Sequence, residues 1–135
     1  LVDNRGDAVI HHAVDRNRVF FIRRQILNGA DPNLAGEDGF TPLQVAIRSE
    51  NDFIAQWLIE GDGEDGAFED GVELDTQNNG GATALHLACA RGMREVVRTL
   101  LENGAERTIL DRDGNSARDL AVEFQHRRIV RMLGP

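Results

Sequence analysis

Four histidines, one cysteine and fifteen arginines are the side chains of this 135-residue chain on which chemistry would most readily draw. Histidines can ligate zinc or relay protons, and a thiolate can attack a carbonyl. The spacing favours neither. His11, His12, His86 and His126 include no HxxxH or HExxH pair, and Cys89 has no second cysteine with which to complete a zinc site. Cys89 shares a helical face with Leu85 and Ala88, which makes it a buried, inert thiol. There is no phosphate-cradling glycine loop ending in Lys-Ser/Thr, and no lysine at all. The acidic stretch 63–75 fails as a calcium loop, because no glycine stands at the sixth position behind oxygen ligands at the first, third and fifth. No catalytic residue, cofactor or metal is therefore expected. The all-arginine usage reflects either GC-rich codons or avoidance of lysine modification.

The elements that would position any site are set by a period. Gly6, Gly39, Gly81 and Gly114 are each followed seven residues later by Ala13, Ala46, Ala88 and Ala121, with steps of 33, 42 and 33 residues. Such a period marks stacked repeats. The third unit reads most clearly. Thr83 is an N-cap, Leu85, Ala88 and Cys89 form one apolar face, and Gly92 ends the first helix. Glu95 opens a second helix with Val96, Val97, Leu100 and Leu101 as its stripe, and Asn103-Gly104 ends it. Thr41 with Gln44, and Ser116 with Asp119, have capping-box spacing, and Pro42 stands where a helix tolerates it best. Unit one has no hydroxyl cap. The pairs Phe21-Ile22, Ile54-Ala55, Val96-Val97 and Ile129-Val130 keep the second-helix register.

With these motifs the chain resembles the ankyrin repeat family. Thr41-Pro42-Leu43 and Thr83-Ala84-Leu85-His86-Leu87-Ala88 match that family's helix-opening motif, and Gly29-Ala30-Asp31-Pro32-Asn33 and Gly104-Ala105 match its loop. The resemblance implies an all-α solenoid of four helix-turn-helix units with hairpin-like loops, in which Ala13, Ala46, Ala88 and Ala121 sit where neighbouring first helices pack closely and enlarging one should cost about 1–3 kcal/mol. The units form a single domain over 1–135, with repeats at about 3–35, 36–63, 78–110 and 111–135 and an acidic insertion at 64–77. It also implies that His11 and His86 are structural hydrogen-bonders, with Thr83 available to His86. The function it implies is protein or peptide binding on a concave face. Carried over by register, the partner-binding residues are Arg5, Arg16, Phe40, Arg48, Arg91, Arg112, Asn115 and Phe124, with Arg16, Arg48 and Arg91 as an arginine row. That row suits an acidic or carboxylate-bearing peptide, or is simply a solvated face. The other reading is a regulatory or targeting part of a larger enzyme or channel.

Composition narrows the classes further. Hydrophobic content of 41% supports a core, and no apolar run approaches a membrane span. One cysteine allows no internal disulfide, which fits a reducing compartment, so a cytoplasmic location is expected, with the nucleus open. The net charge of −8 is concentrated: residues 60–75 hold eight acids and no base. A chain this acidic is a poor nucleic-acid binder. The insertion is either a mobile surface loop or an acidic arm for a basic partner, with Phe68 and Leu74 as anchors. Trp57 either packs beneath it or is an exposed anchor. Unit one, with Phe20 and Phe21 together, reads as an unlikely free end, so that either the chain is the C-terminal part of a longer repeat array or unit one packs on an upstream segment, whereas unit four turns His126, Arg127, Arg128 and Arg131 outward. As an isolated module the chain is expected to be monomeric.

Overall fold

The computed structural model describes residues 9–15, 18–61 and 71–134. Among the described residues, eight helices follow in order: α1 Val9–Asp15, α2 Val19–Leu27, α3 Pro42–Arg48, α4 Asp52–Glu60, α5 Ala84–Arg91, α6 Arg94–Glu102, α7 Ala117–Glu123 and α8 Arg127–Leu133. A 3-10 turn, Glu37–Gly39, precedes α3, and no strand occurs among the described residues. The first helices α1, α3, α5 and α7 stack in one layer, and α4, α6 and α8 stack behind them. The fold is an all-α repeat solenoid. No helix among the described residues is long and apolar enough to cross a membrane.

The first helices begin where the hydroxyl residues stand. Thr41, Thr83 and Ser116 each accept the N–H three residues on, and the side chains of Gln44, His86 and Asp119 accept the cap residue's own N–H. His86 thus does through its ring Nδ1 what a Glu or Gln usually does in a capping box. The Ser116 backbone N–H and hydroxyl hold the Asp119 carboxyl below its ordinary value, so this cap is intact above that range and lost as pH falls through it. Gly92 ends α5 in a left-handed conformation, φ 72°. The second helices depend less on caps: only α4 has a side-chain cap, from Asn51, among those whose first residues are described.

Packing uses the period. Ala46, Ala88 and Ala121 are fully buried and Ala13 nearly so, within the core between first helices. At other slots, burial depends on the neighbour. Phe21 is 40% exposed although Ile54, Val96 and Ile129 at the equivalent position are buried. Val122 is 51% exposed although Val14, Ile47 and Cys89 at its slot are fully buried. Arg118, at the slot of Leu43 and Leu85, donates through Nε to the Gly134 carbonyl, and Arg107 donates to that of Leu133, so the end of α8 is satisfied by guanidiniums.

The loops form a ladder of tips. Within each, Gly36, Asn78 and Asp111 donate to the carbonyls of Phe40, Ala82 and Asn115. Between them, the Asn79 N–H donates to Asp38 and the Arg112 N–H to Gly80. A second rung lies deeper: Asn33 Oδ1 accepts from the Glu73 N–H, and Asp75 Oδ1 from the Glu106 N–H.

That rung corrects the limits of the insertion. Residues 71–77 were expected within it, yet Gly71-Val72 occupy the slot of Gly29-Ala30 and Gly104-Ala105. Val72 is buried and donates to Leu58, Leu74 packs partly on the core, and Asp75 takes the place of Asn33. Leu74 is therefore a packing residue and not a free anchor. The nine additional residues are 62–70, which, with Phe68, lie outside the described residues. Trp57 is half-buried against the core.

Candidate interaction surface

Three kinds of position carry the expected contact residues: tips, the residues that follow the tip glycines, and the ends of first helices. At the tips, Arg112 is exposed. After the glycines come Phe40 and Asn115, both half-buried. The Asn115 backbone is fully engaged, its N–H with Asp111 Oδ1 and its carbonyl with the Asp111 N–H and His86 Nε2. At the helix ends, Arg48 is half-buried, whereas Arg91 and Phe124 are exposed. Arg5 and Arg16 lie outside the described residues.

Phe40 and Arg48 are brought together. The Arg48 guanidinium carbon stands 4.9 Å from the Phe40 ring centroid, a cation–π contact that links a tip exit to the end of α3. Arg91 has other neighbours: it flanks Gly92, Met93 and Arg94 at the turn between α5 and α6. The two differ in register, since Arg48 follows its repeat glycine by nine residues and Arg91 by ten, which is about 100° around a helix.

Three of the four histidines meet backbone carbonyls. His86 Nδ1 bonds the Thr83 hydroxyl at 2.8 Å and accepts the Thr83 N–H, which leaves Nε2 as the donor to Asn115 O at 2.9 Å. His11 Nε2 meets Leu34 O at 2.7 Å. Gln44 performs both jobs in unit two: its Oε1 accepts from the Thr41 N–H, while its Nε2 donates to Thr76 O and Ala82 O. His126 meets Ala90 O at 3.1 Å. Among the described residues, no three His, Cys, Asp or Glu are grouped so as to hold a metal.

Cys89 is fully buried, and desolvation pushes its thiol up from 9.0 to about 12. A neutral, covered thiol is a poor nucleophile. Its labelling by a disulfide reagent at pH 8 should therefore proceed only at the rate of unfolding; fast stoichiometric labelling of folded protein would show otherwise. The sign for stability follows. The thiol's contribution is full below pH 9 and declines between 9 and about 12, because only the unfolded state releases the proton there.

Some exposed residues carried little sequence signal. Phe20 and Phe53 share one slot on the outer side of second helices and are 90% and 66% exposed, where units three and four place Glu95 and Arg128. The apolar residues on the other side of the same helices hide this pattern from a periodicity reading.

Comparison with known proteins matches the geometry. Residues 38–65 match the model of the ankyrin repeat, and residues 67–121 match the model of ankyrin repeats in many copies. Among curated proteins, the chain is similar to a mouse B-cell lymphoma 3 protein homolog, 30% identical over 97% of this chain and 28% of that protein. It is 32% identical to human NF-kappa-B inhibitor epsilon over 78% of this chain and 21% of that protein. It is 26% identical to human transient receptor potential cation channel subfamily A member 1, over 78% of this chain and 9% of that protein. The chain thus spans less than a third of the length of each of these relatives.

Proposed function

The chain belongs to the ankyrin repeat family, and on that footing we propose that it is a non-catalytic interaction module that binds a protein or peptide on its concave face. The observation that carries this reading is the Phe40–Arg48 pair beside a hydrogen-bonded tip ladder. An aromatic ring and a guanidinium are the groups that binding hot spots favour, and a rigid backbone spares the cost of ordering them. Arg91, Arg112, Asn115 and Phe124 extend this surface, and Arg5 and Arg16 continue it by register. Guanidiniums fit an acidic or carboxylate-bearing segment. The acids of residues 62–70 fit a separate, basic partner. A relative named as an inhibitor of NF-kappa-B supports a protein as the partner. The module acts as a monomer in the cytoplasm, with the nucleus open, and needs no cofactor, metal, nucleic acid or membrane insertion.

The second reading, a regulatory or targeting part of a larger enzyme or channel, is favoured by the similarity to a cation channel of which the chain spans 9%. The full-length reading frame discriminates between the two.

An affinity pull-down tests the surface. Arg48→Glu combined with Arg91→Glu should abolish capture of the partner while helicity stays unchanged. Capture at the wild-type level would place the partner elsewhere.

A further inference from the structure

The turns that join first to second helices in the last three units line an open cleft of about 490 Å³. Met93 and Ile129, both buried, lie beneath it. Its walls are sorted by charge. Unit two contributes Glu50 and Asp52, and unit four contributes Arg127 and Arg128, with Arg91 and Arg94 between them. Glu95, also on the cleft, is taken up by Arg94 at 3.9 Å and Arg98 at 2.8 Å. Arg91, Arg127 and Arg128 have no ion-pair partner among the described residues.

The placement of cations here costs the isolated fold. Arg94 opens α6, and Arg127 and Arg128 open α8, where the helix dipole opposes a cation. Glu50 holds a left-handed backbone, φ 55°, as do Gly92 and Gln125 at the same slot of units three and four, so this turn belongs to the repeat, and in unit two it brings a carboxylate to the cleft. The cations at the starts of α6 and α8 are unfavourable choices that converge on one cleft, the kind that function retains.

We propose that this cleft is a docking groove for an extended segment of a partner protein. The segment carries an acidic or phosphorylated residue against Arg91, Arg127 and Arg128, and a basic residue against Glu50 and Asp52. Neighbouring packed helices stand roughly 10 Å apart, so the two charged walls are about 20 Å apart. An extended chain covers that distance in about six residues. An apolar residue between them rests over Met93 and Ile129. The acidic wall and the net charge of −8 select a bipolar peptide over a polyanion such as nucleic acid or an anionic bilayer. This groove lies at the turns and not at the tips, and it does not depend on the Phe40–Arg48 surface.

Fluorescence anisotropy with labelled synthetic peptides tests it. One peptide pair carries two lysines and a phosphoserine-glutamate unit six residues apart, in both chain orders; the control carries acids at both ends. At least one bipolar order should bind about tenfold or more tightly than the all-acidic control. Arg127→Glu with Arg128→Glu should cost about tenfold or more, while Arg131→Glu, exposed on the same helix and outside the cleft, changes nothing. Glu50→Lys with Asp52→Lys should transfer the preference to the all-acidic peptide. If far-UV circular dichroism shows the double Glu variant to be unfolded, Arg127→Gln with Arg128→Gln replaces it, with the same loss expected. The proposal is overturned if neither bipolar order binds, if the control binds equally well, or if the arginine variants bind undiminished. Because Arg48 is outside the groove, loss of pull-down in Arg48→Glu alone reports on the other surface.

Discussion

Gly81→Ala should lower the stability of the fold by about 2–5 kcal/mol in urea unfolding, whereas Gly114→Ala should lower it by only about 1–2 kcal/mol. Both glycines have left-handed backbones, φ 78° and 81°, and this conformation alone costs an alanine about 1–2 kcal/mol. They differ in what stands beyond. A methyl at Gly81 would come within 2.8 Å of Arg112 N and 3.1 Å of the Asp111 carbonyl carbon, whereas at Gly114 it would meet nothing within 4 Å. At Gly81 the obstacle is backbone, and the clash falls on the rung from Arg112 N–H to Gly80 O. Displacing that rung adds an overpacking cost of about 1–3 kcal/mol. The stability of stacked repeats is a sum of units and their interfaces, so Gly81→Ala should also loosen unit four from unit three and broaden the transition. Equal losses at the two glycines would mean that the tip ladder contributes no stability.

His86→Ala should cost about 2–4 kcal/mol, and His86→Gln less than about 1 kcal/mol, on the same measurement. The ring completes the cap of α5 and ties that helix to the next loop through Asn115 O. Its removal leaves the buried Thr83 without its partner and the Asn115 carbonyl without the ring donor, and buried groups left unpaired lose more than the bond itself returned. Glutamine is the informative rescue because Gln44 already does this work one unit earlier, with its oxygen on the Thr41 N–H and its nitrogen on Thr76 O and Ala82 O. If glutamine proves as damaging as alanine, the imidazole has a role beyond these bonds.

The repeat Gly–Ala period, the caps at Thr41, Thr83 and Ser116, and the buried state of Cys89 were all legible in the sequence. The contact surface was legible only as a set of register positions. The sequence does not show that Arg48 contacts Phe40 or that Arg91 also lines the helix-turn cleft. The acidic insertion is legible as a break in the period but its end is not, because Gly71-Val72 differ by a single side chain from the Gly-Ala pair that marks the other loops.

By itself, then, the sequence determined the helices, their ends and their repetition, since a cap or an apolar stripe acts over three or four residues and needs no distant partner. Only the tertiary structure decided which copy of each repeated position is covered. Ile54 is buried where Phe21 is not, and Cys89 is buried where Val122 is not, because burial requires a further unit stacked alongside. It alone assembled the cleft, whose opposing charges come from turns more than 30 residues apart and meet only when three units stack.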